Sequence, residues 1–513
     1  MPVKIFINNV WSRISGLVRE TNLELVDELD RQMSYFVEGY QYMKAFKQGW
    51  YDKNTGQWRH WDGRRHLLNQ KMVFPTGLLA RALELLERKK VEFELIDERE
   101  TPLGDGRISI VGRTPWPHQE AALKAATKEG RGIIRIGTGG GKTFVSAMIA
   151  AEYNVPTMIY VVGKDLLHQF HHEFVKTFGD TGVGIVGDGY CDVRKFTICS
   201  VWTAITAFGL KTNVSLDDED WAPEVMSMGP KHKRAIQAAV ENAGLAIFDE
   251  AHFLACETIQ AIFKASKRCR YMFGMTGTDW RDDGADLLLE ASCGRRIFNM
   301  PASKLIEQGH LVVPKIALVE VPPLDGPCPA NWSTVYDKYI THNEIRNQMI
   351  VDGARRLVDM GRKVLILVRY ITHGEKLVDM LGDMPVFFVN GGMDGETRHD
   401  IKERFERGEL RCLVASSVFD IGVDIPSLDS LVPAGGGKST VRILQRIGRV
   451  IRAHEGKKDA LVMDFIDNAR YLDKHSAIRV ATYEAEPSFK VKFPPGFDRS
   501  LLKKIKKIKA KVK

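Results

Sequence analysis

The chain is poor in cysteine, with seven in 513 residues: Cys191, Cys199, Cys256, Cys269, Cys293, Cys328 and Cys412. None forms a Cys-x-x-Cys pair, so neither a zinc site nor a disulfide framework is suggested, and reduced thiols are the reading. Long apolar runs are also missing. No stretch of about 18 apolar residues occurs, so no membrane span and no membrane partner is expected. The opening Met1-Pro2-Val3-Lys4-Ile5-Phe6 lacks the apolar core of a secretion leader, so a soluble, cytoplasmic protein is expected. A strong charge of one sign is absent too. Lys and Arg number 73 against 65 Asp and Glu, a net +8. That surplus permits an anionic partner without showing one. Apolar content of 44% and charged content of 27% are ordinary for a globular chain long enough for about three domains.

What is present centres on Gly137-Thr138-Gly139-Gly140-Gly141-Lys142-Thr143. It follows the apolar run Gly132–Ile136 and opens the helical run 144–151. Strand, glycine loop and helix form the setting of a phosphate-binding loop. Glycines let backbone N–H groups approach phosphate, and a helix N-terminus favours an anion. Lys142 would reach the β- and γ-phosphates and the Thr143 hydroxyl would hold Mg²⁺. The strict pattern wants glycine at 136, where Ile136 stands.

Past this loop, apolar strands alternate with helices, which implies parallel sheets with ligands at the carboxyl ends of the strands. Leu245-Ala246-Ile247-Phe248 ends on Asp249-Glu250-Ala251-His252. Triphosphate hydrolysis needs a metal anchor and a base for water, roles that suit Asp249 and Glu250. Upstream, the amide of Gln119 can both donate and accept, as reading an adenine edge requires; the plainer reading is a polar helix-start residue. A second alternation begins after residue 320. It leads to Gln445-Arg446-Ile447-Gly448-Arg449-Val450-Ile451-Arg452, where Arg446 and Arg449 share a helix face and could offset charge on a γ-phosphate. These arginines lie in the second half, so they would complete the site only when the halves close, which would couple nucleotide state to motion. Gly435-Gly436-Gly437-Lys438-Ser439 looks like another phosphate loop but reads as a turn. The acidic stretch in Leu216–Lys233 reads as a solvated insertion.

The first hundred residues differ in character. Between Tyr40 and Lys71, seven Lys/Arg face two acids, and Tyr40, Tyr42, Phe46, Trp50, Tyr51, Trp58 and Trp61 are interleaved. Asn54-Thr55-Gly56 and Trp61-Asp62-Gly63-Arg64 read as turns. Cations can neutralise phosphates while rings stack on bases. The alternative is a small sheet whose tryptophans form its own core. Trp61, Arg64 and Arg65 are the candidates singled out for nucleic acid. The last thirteen residues carry seven lysines and read either as a phosphate contact or as a solvated tail.

Gln119, GTGGGKT, DEAH, Thr276-Gly277-Thr278, Asp420-Ile421-Gly422-Val423-Asp424-Ile425-Pro426 and QRIGRVIR occur in the order seen in superfamily 2 helicases, which the chain resembles. The resemblance implies an α/β fold with two tandem RecA-like parallel-sheet domains around ATP and Mg²⁺. It also implies that Gln119, Thr138, Gly139, Gly140, Gly141, Lys142, Thr143, Gly422 and Asp424 bind nucleotide. Lys164 and Thr203 would lie beside nucleic acid, and Thr276 and Thr278 would link hydrolysis to strand movement. Gly39-Tyr40, Trp61–Arg64 and Phe74-Pro75-Thr76-Gly77-Leu78 are similar to the N-terminal domain of bacteriophage UvsW-type recombination helicases, relatives of the XPB type. The implied layout is a small α+β DNA-binding domain over 1–105, RecA-like domains over 106–310 and 311–490, and a basic tail over 491–513. The implied substrate is branched or double-stranded DNA, RNA–DNA hybrids included. A monomer is expected, in the host cytoplasm if phage-encoded, with single-strand-binding or recombination proteins as candidate partners. An RNA helicase or a restriction-type motor subunit are the alternatives.

Overall fold

The computed structural model describes residues 2–17, 21–37, 39–52, 56–210, 228–255, 257–277, 286–390, 393, 395–416 and 425–498. The chain divides into two compact units. One is Met1–Ile136 with Gly141–Asn299, and the other is Gly137–Gly140 with Met300–Lys513.

The first unit opens on a four-stranded sheet in the order Val73–Pro75, Trp11–Ser15, Val3–Ile7, Phe93–Asp97. Val3–Ile7 alternates buried and half-buried residues, the signature of a strand with one covered face. It runs antiparallel to Trp11–Ser15, with Ile5 opposite Ile14, and parallel to Phe93–Asp97. Helices Leu23–Gln32 and Leu79–Arg88 bury Val26, Leu29, Ala82, Leu85 and Leu86. Between the first of these helices and Val73–Pro75 runs an arm of nested ribbons. Ser34–Phe36 pairs with Arg64–His66, and inside that pair Trp50–Asp52 meets Gln57–Arg59. The turn expected at Asn54-Thr55 lies outside the described residues.

The first 105 residues do not separate as a compact unit from the parallel sheet after them. Leu287 and Ala291 of helix Asp286–Cys293 belong to the same hydrophobic cluster as Ile5, Phe74 and Leu78. Arg81 clamps the largely buried Glu290 with Nε and Nη2 at 2.8 and 2.6 Å. Gly77 abuts the same helix so closely that a Cβ there would stand 2.1 Å from the Glu290 carbonyl oxygen.

The rest of the unit is an eight-stranded sheet, ordered Tyr190–Cys191, Val183–Gly187, Phe196–Ser200, Thr157–Val161, Leu245–Phe248, Tyr271–Thr276, Arg131–Ile136, Arg296–Met300. The strands from Val183–Gly187 through Arg131–Ile136 run parallel. Their apolar runs are explained by burial; Leu245–Phe248 is buried at every position. In the second unit a seven-stranded sheet runs Val386–Val389, Cys412–Ala415, Val364–Leu367, Ser430–Val432, Ala460–Ile466, Pro314–Glu320, Lys490–Lys492, all parallel. Two tandem parallel-sheet α/β domains preceded by a small α+β domain are thus as expected. The two compact units part after Asn299, where the expected domain boundary was 310; Leu311 bridges to Arg452 and Val312 donates to the Ile451 carbonyl within the second unit. Residues 216–227, the larger part of the expected acidic insertion, lie outside the described residues, while Pro230–Asn242 is a helix. The lysine-rich tail from 499 onward also lies outside them.

Candidate functional site

Lys142 and Thr143 are the first two residues of helix Lys142–Tyr153, which comes directly after Gly141 at φ +80°. That conformation is why glycine stands there. The space matters as much: a Cβ on Gly141 would come within 2.3 Å of Gln119 Nε2. Gln119 is buried in the first turn of helix Pro117–Glu129, where its Oε1 accepts from the Trp116 backbone N–H at 2.9 Å. The residue expected to read adenine therefore also satisfies the backbone N–H of Trp116, the N-cap of its own helix, with its amide nitrogen against Gly141. Earlier in the loop, Gly137 donates to the Met300 carbonyl at 2.9 Å and Gly140 to the Gly137 carbonyl at 3.0 Å. Thr138 and Gly139 are half-buried and Gly140 is buried.

The carboxylates stand together at the end of Leu245–Phe248, which Tyr271–Thr276 separates from the strand that leads into the loop. Asp249 is buried at the end of Leu245–Phe248, with its N–H on the Tyr160 carbonyl at 2.9 Å. Burial, reinforced by the neighbouring Glu250, raises its carboxyl to about 7, and Lys142 pulls the other way. Asp249 Oδ1 is buried without a hydrogen-bond partner. A buried, unsatisfied carboxylate oxygen is costly unless something pairs with it, and a divalent cation does so well. Glu250 comes next at φ +50°, a left-handed conformation that carries backbone strain for a side chain of this kind. Its Oε2 lies 3.4 Å from His252 Nδ1. His252 had no role assigned from the sequence, although its place in DEAH was visible.

Thr143 and Asp249 offer a hydroxyl and a carboxylate, oxygen ligands of the kind Mg²⁺ takes alongside substrate phosphates. Among the described residues no group of three or more His, Cys, Asp or Glu could hold a metal by itself. The residues present thus fit an ion shared with a bound triphosphate.

Lys164 and Thr203 also come together. Lys164 opens helix Lys164–Phe178 and its Nζ sits 3.0 Å from Asp188 Oδ1. Asp188 is shared with His168 Nε2 at 2.9 Å, and these two partners, His168 foremost, hold its carboxyl below the usual range. Thr203 Oγ1 lies 3.5 Å from where a Cβ on Gly187 would be. The turn after Val183–Gly187 is therefore the meeting point, and Asp188, which the sequence did not single out, is its charged centre.

Arg446 and Arg449 stand half-buried on helix Thr440–Val450, capped by Ser439 Oγ, which accepts from the Arg442 N–H at 3.3 Å. The preceding Gly435–Lys438 stretch is a turn, as expected, and it is held from beneath. Tyr336 Oη and Arg479 Nη1 donate to the Gly435 and Gly437 carbonyls at 2.9 Å each, and Arg346 Nη1 to that of Ala434 at 2.7 Å. Arg346 is paired with Asp467, and Arg479 with Asp464, both at 2.8 Å and all four buried. Sequence reasoning missed this framework, since an arginine within a helical pattern reads as solvated. Thr276 is buried at its strand's end, whereas Thr278, Gly422 and Asp424 lie outside the described residues.

In the arm, Trp61 Nε1 donates to the Arg64 carbonyl at 2.6 Å, and Arg64 donates to Ser34 Oγ at 3.2 Å while its guanidinium lies 4.0 Å from the centre of the Phe36 ring. Arg65 is half-buried on the Arg64–His66 strand. These three residues build the base of the arm.

Residues 113–280 match the family described as type III restriction enzyme, res subunit, and residues 347–454 match the helicase conserved C-terminal domain. The chain is 25% identical over 507 residues to the ATP-dependent DNA helicase UvsW of enterobacteria phage T4, covering 90% of this chain and 93% of that protein. It is 27% identical over 420 residues to the DNA 3′-5′ translocase XPB2 of Sulfurisphaera tokodaii, covering 74% and 86%. Among solved structures, S. cerevisiae Dbp5 bound to RNA and ADP BeF3 aligns with a TM-score of 0.51 at 14% identity, over 78% of this chain and 94% of that one. That likeness speaks to the fold alone, the RecA-like pair.

Proposed function

Because two helicase family models match its two parallel-sheet domains and it is similar to the bacteriophage helicase UvsW along most of its length, we propose that the chain is a superfamily 2, ATP-dependent DNA helicase or translocase that remodels branched DNA. Fork regression, branch migration and unwinding of R-loops or D-loops are the reactions meant. The observation that carries the reading is the strand end at Asp249-Glu250. There a buried, unsatisfied carboxylate and a strained glutamate adjoin the lysine of a glycine loop.

In this reading Lys142 neutralises the β- and γ-phosphates while the loop N–H groups cradle them. Thr143 and Asp249 would hold Mg²⁺, which would supply charge neutralisation at the phosphate oxygens. Glu250 takes the proton of the attacking water, and the adjacent His252 fixes the carboxylate's orientation. Arg446 and Arg449 are the candidates for charge on the γ-phosphate, and Gly422 and Asp424 for further nucleotide contacts. Lys164 and Thr203 are the candidates for nucleic-acid phosphate contact in the first parallel-sheet domain. There Asp188 is the ion partner that a phosphate would replace.

The test is ATP turnover and strand exchange by the purified chain on a replication fork, a Holliday junction, an R-loop, a 3′-tailed duplex and single-stranded RNA. Stimulation by the branched DNAs, abolished in Lys142→Ala, is expected. Stimulation by single-stranded RNA alone would overturn the DNA assignment.

A further inference from the structure

The arm between Ser34 and His66 contributes almost nothing to the core of the first domain, although it is the most aromatic stretch of the chain. Tyr42 is 79% exposed, Trp58 67%, Tyr51 53% and Trp50 45%, and Phe36 and Phe46 are exposed as well. The choice between a self-contained tryptophan core and an outward-facing surface is thereby decided, since rings left in water to this extent are not a core. Large apolar faces gathered on one surface mark a place where something docks.

The ribbon Trp50–Asp52 with Gln57–Arg59 carries three of the four most exposed rings. Tyr51 and Trp58 face each other across it, their centroids 6.0 Å apart. Around them cations outnumber acids, which among the arm's described residues are Asp52, on the ribbon itself opposite Gln57, and Asp62. Lys44, Lys47, Arg59, Arg64 and Arg65 stand on this arm, and Lys47 Nζ lies 5.6 Å from the centre of the Tyr42 ring. The carboxylate of Asp62 is already engaged, with Oδ1 accepting from the Arg64 N–H at 2.9 Å and Oδ2 3.0 Å from His66 Nε2.

Cations alone would suit any phosphate backbone. Exposed ring faces suit something more particular. In a duplex the bases are stacked on one another and present only their edges, whereas an unpaired base offers its face. We infer that the strands Trp50–Asp52 and Gln57–Arg59 stack unpaired bases at a branch through Trp50, Tyr51 and Trp58, while the neighbouring lysines and arginines hold the phosphates of the same strand. This rests on the DNA-remodelling reading above and specifies which part of a branched substrate the first domain grips.

The experiment uses the full chain and 2-aminopurine placed either in an unpaired arm of a fork or within a blunt duplex of the same length. In the wild type, binding should quench the fluorophore in the arm and leave it unchanged in the duplex. Trp58→Ala and Tyr51→Ala should each weaken arm binding roughly 5- to 150-fold, the range for loss of one base–aromatic stack, with blunt-duplex affinity held within about twofold. Trp58→Phe should restore most of the arm binding. Equal losses on arm and duplex, or no loss on the arm, would overturn the inference. If instead the wild type hydrolyses ATP no faster with any of these DNAs, the DNA-remodelling reading fails, and that result is separate from the arm comparison. Because these rings are largely solvent-exposed, the substitutions remove little packing, and a circular-dichroism melt coincident with the wild type checks this.

Discussion

The glycine-loop region and the aromatic arm use side chains in opposite ways. Around Lys142 the polar groups are drawn inward: Asp249 is buried with an unsatisfied oxygen, Glu250 is strained, and Gln119 is wedged against Gly141. In the arm the rings that elsewhere fill cores face water. The first arrangement prepares charges for chemistry in a place where water screens them little. The second leaves apolar faces unpaired for a partner. Buried charge and exposed aromatics each cost stability, so each points to function: on the proposed reading, catalysis at the first and recognition at the second.

The comparison breaks most sharply at Glu250. Glu250→Gln keeps shape and removes the base, so ATP turnover should fall about 10²–10⁴-fold in a phosphate-release assay, with nucleotide binding retained. A smaller fall would mean that another group activates water. Next in size is the buried framework under Gly435–Lys438. Arg479→Met leaves Asp464 buried without its cation, although Tyr483 still donates to it at 2.6 Å. Breaking such a pair costs about 3–5 kcal/mol, which hydrogen exchange across strand Ala460–Ile466 should show as faster opening. Unchanged protection there would mean that the framework does not hold the strand.

Gly141→Ala probes the loop more gently. The positive φ alone costs about 1–3 kcal/mol, and the crowding against Gln119 adds to it. A lower melting temperature in a circular-dichroism melt is expected, relieved in part by adding Gln119→Ala. Full relief would show that crowding rather than backbone conformation sets the cost. The smallest effect concerns His373, which burial, helped by Arg346, lowers to about 3 while it pairs with Asn347 at 2.9 Å. The imidazole stays neutral when folded, while the unfolded chain takes up a proton below about 6.5. Its contribution is complete above that pH and is lost as pH falls toward 3. Between pH 6.5 and 5.5 the loss should approach about 1 kcal/mol in urea unfolding of the wild type and be flatter in His373→Gln. Equal slopes would exclude His373 as the cause.

Much of the candidate nucleotide site was legible because its parts are local. An apolar tetrapeptide ending in Asp249-Glu250 announces a buried strand's end, and Pro117 at a helix start places Gln119 within the first turn. What was not legible depends on distant partners. Asp188 became visible only once Lys164 and His168 closed on it, and Arg346 and Arg479 only once the carbonyls of Ala434 and Gly437 were in place. In strands of three residues, alternation is too short to tell which face is covered, so Trp61 could not be distinguished from Trp58. Yet Trp61 ties down a turn and Trp58 faces water. The first domain's attachment was hidden for a similar reason, since Arg81 meets Glu290 across 209 residues of sequence.

The division of labour can be tested in one assay: ATP turnover on a fork with an unpaired arm and on a blunt duplex, for Glu250→Gln and for Tyr51→Ala/Trp58→Ala side by side. Glu250→Gln should lose turnover on both DNAs, and the double variant should need a higher concentration of the fork, but not of the duplex, for half-maximal stimulation. Wild-type turnover by Glu250→Gln on either DNA would contradict that division.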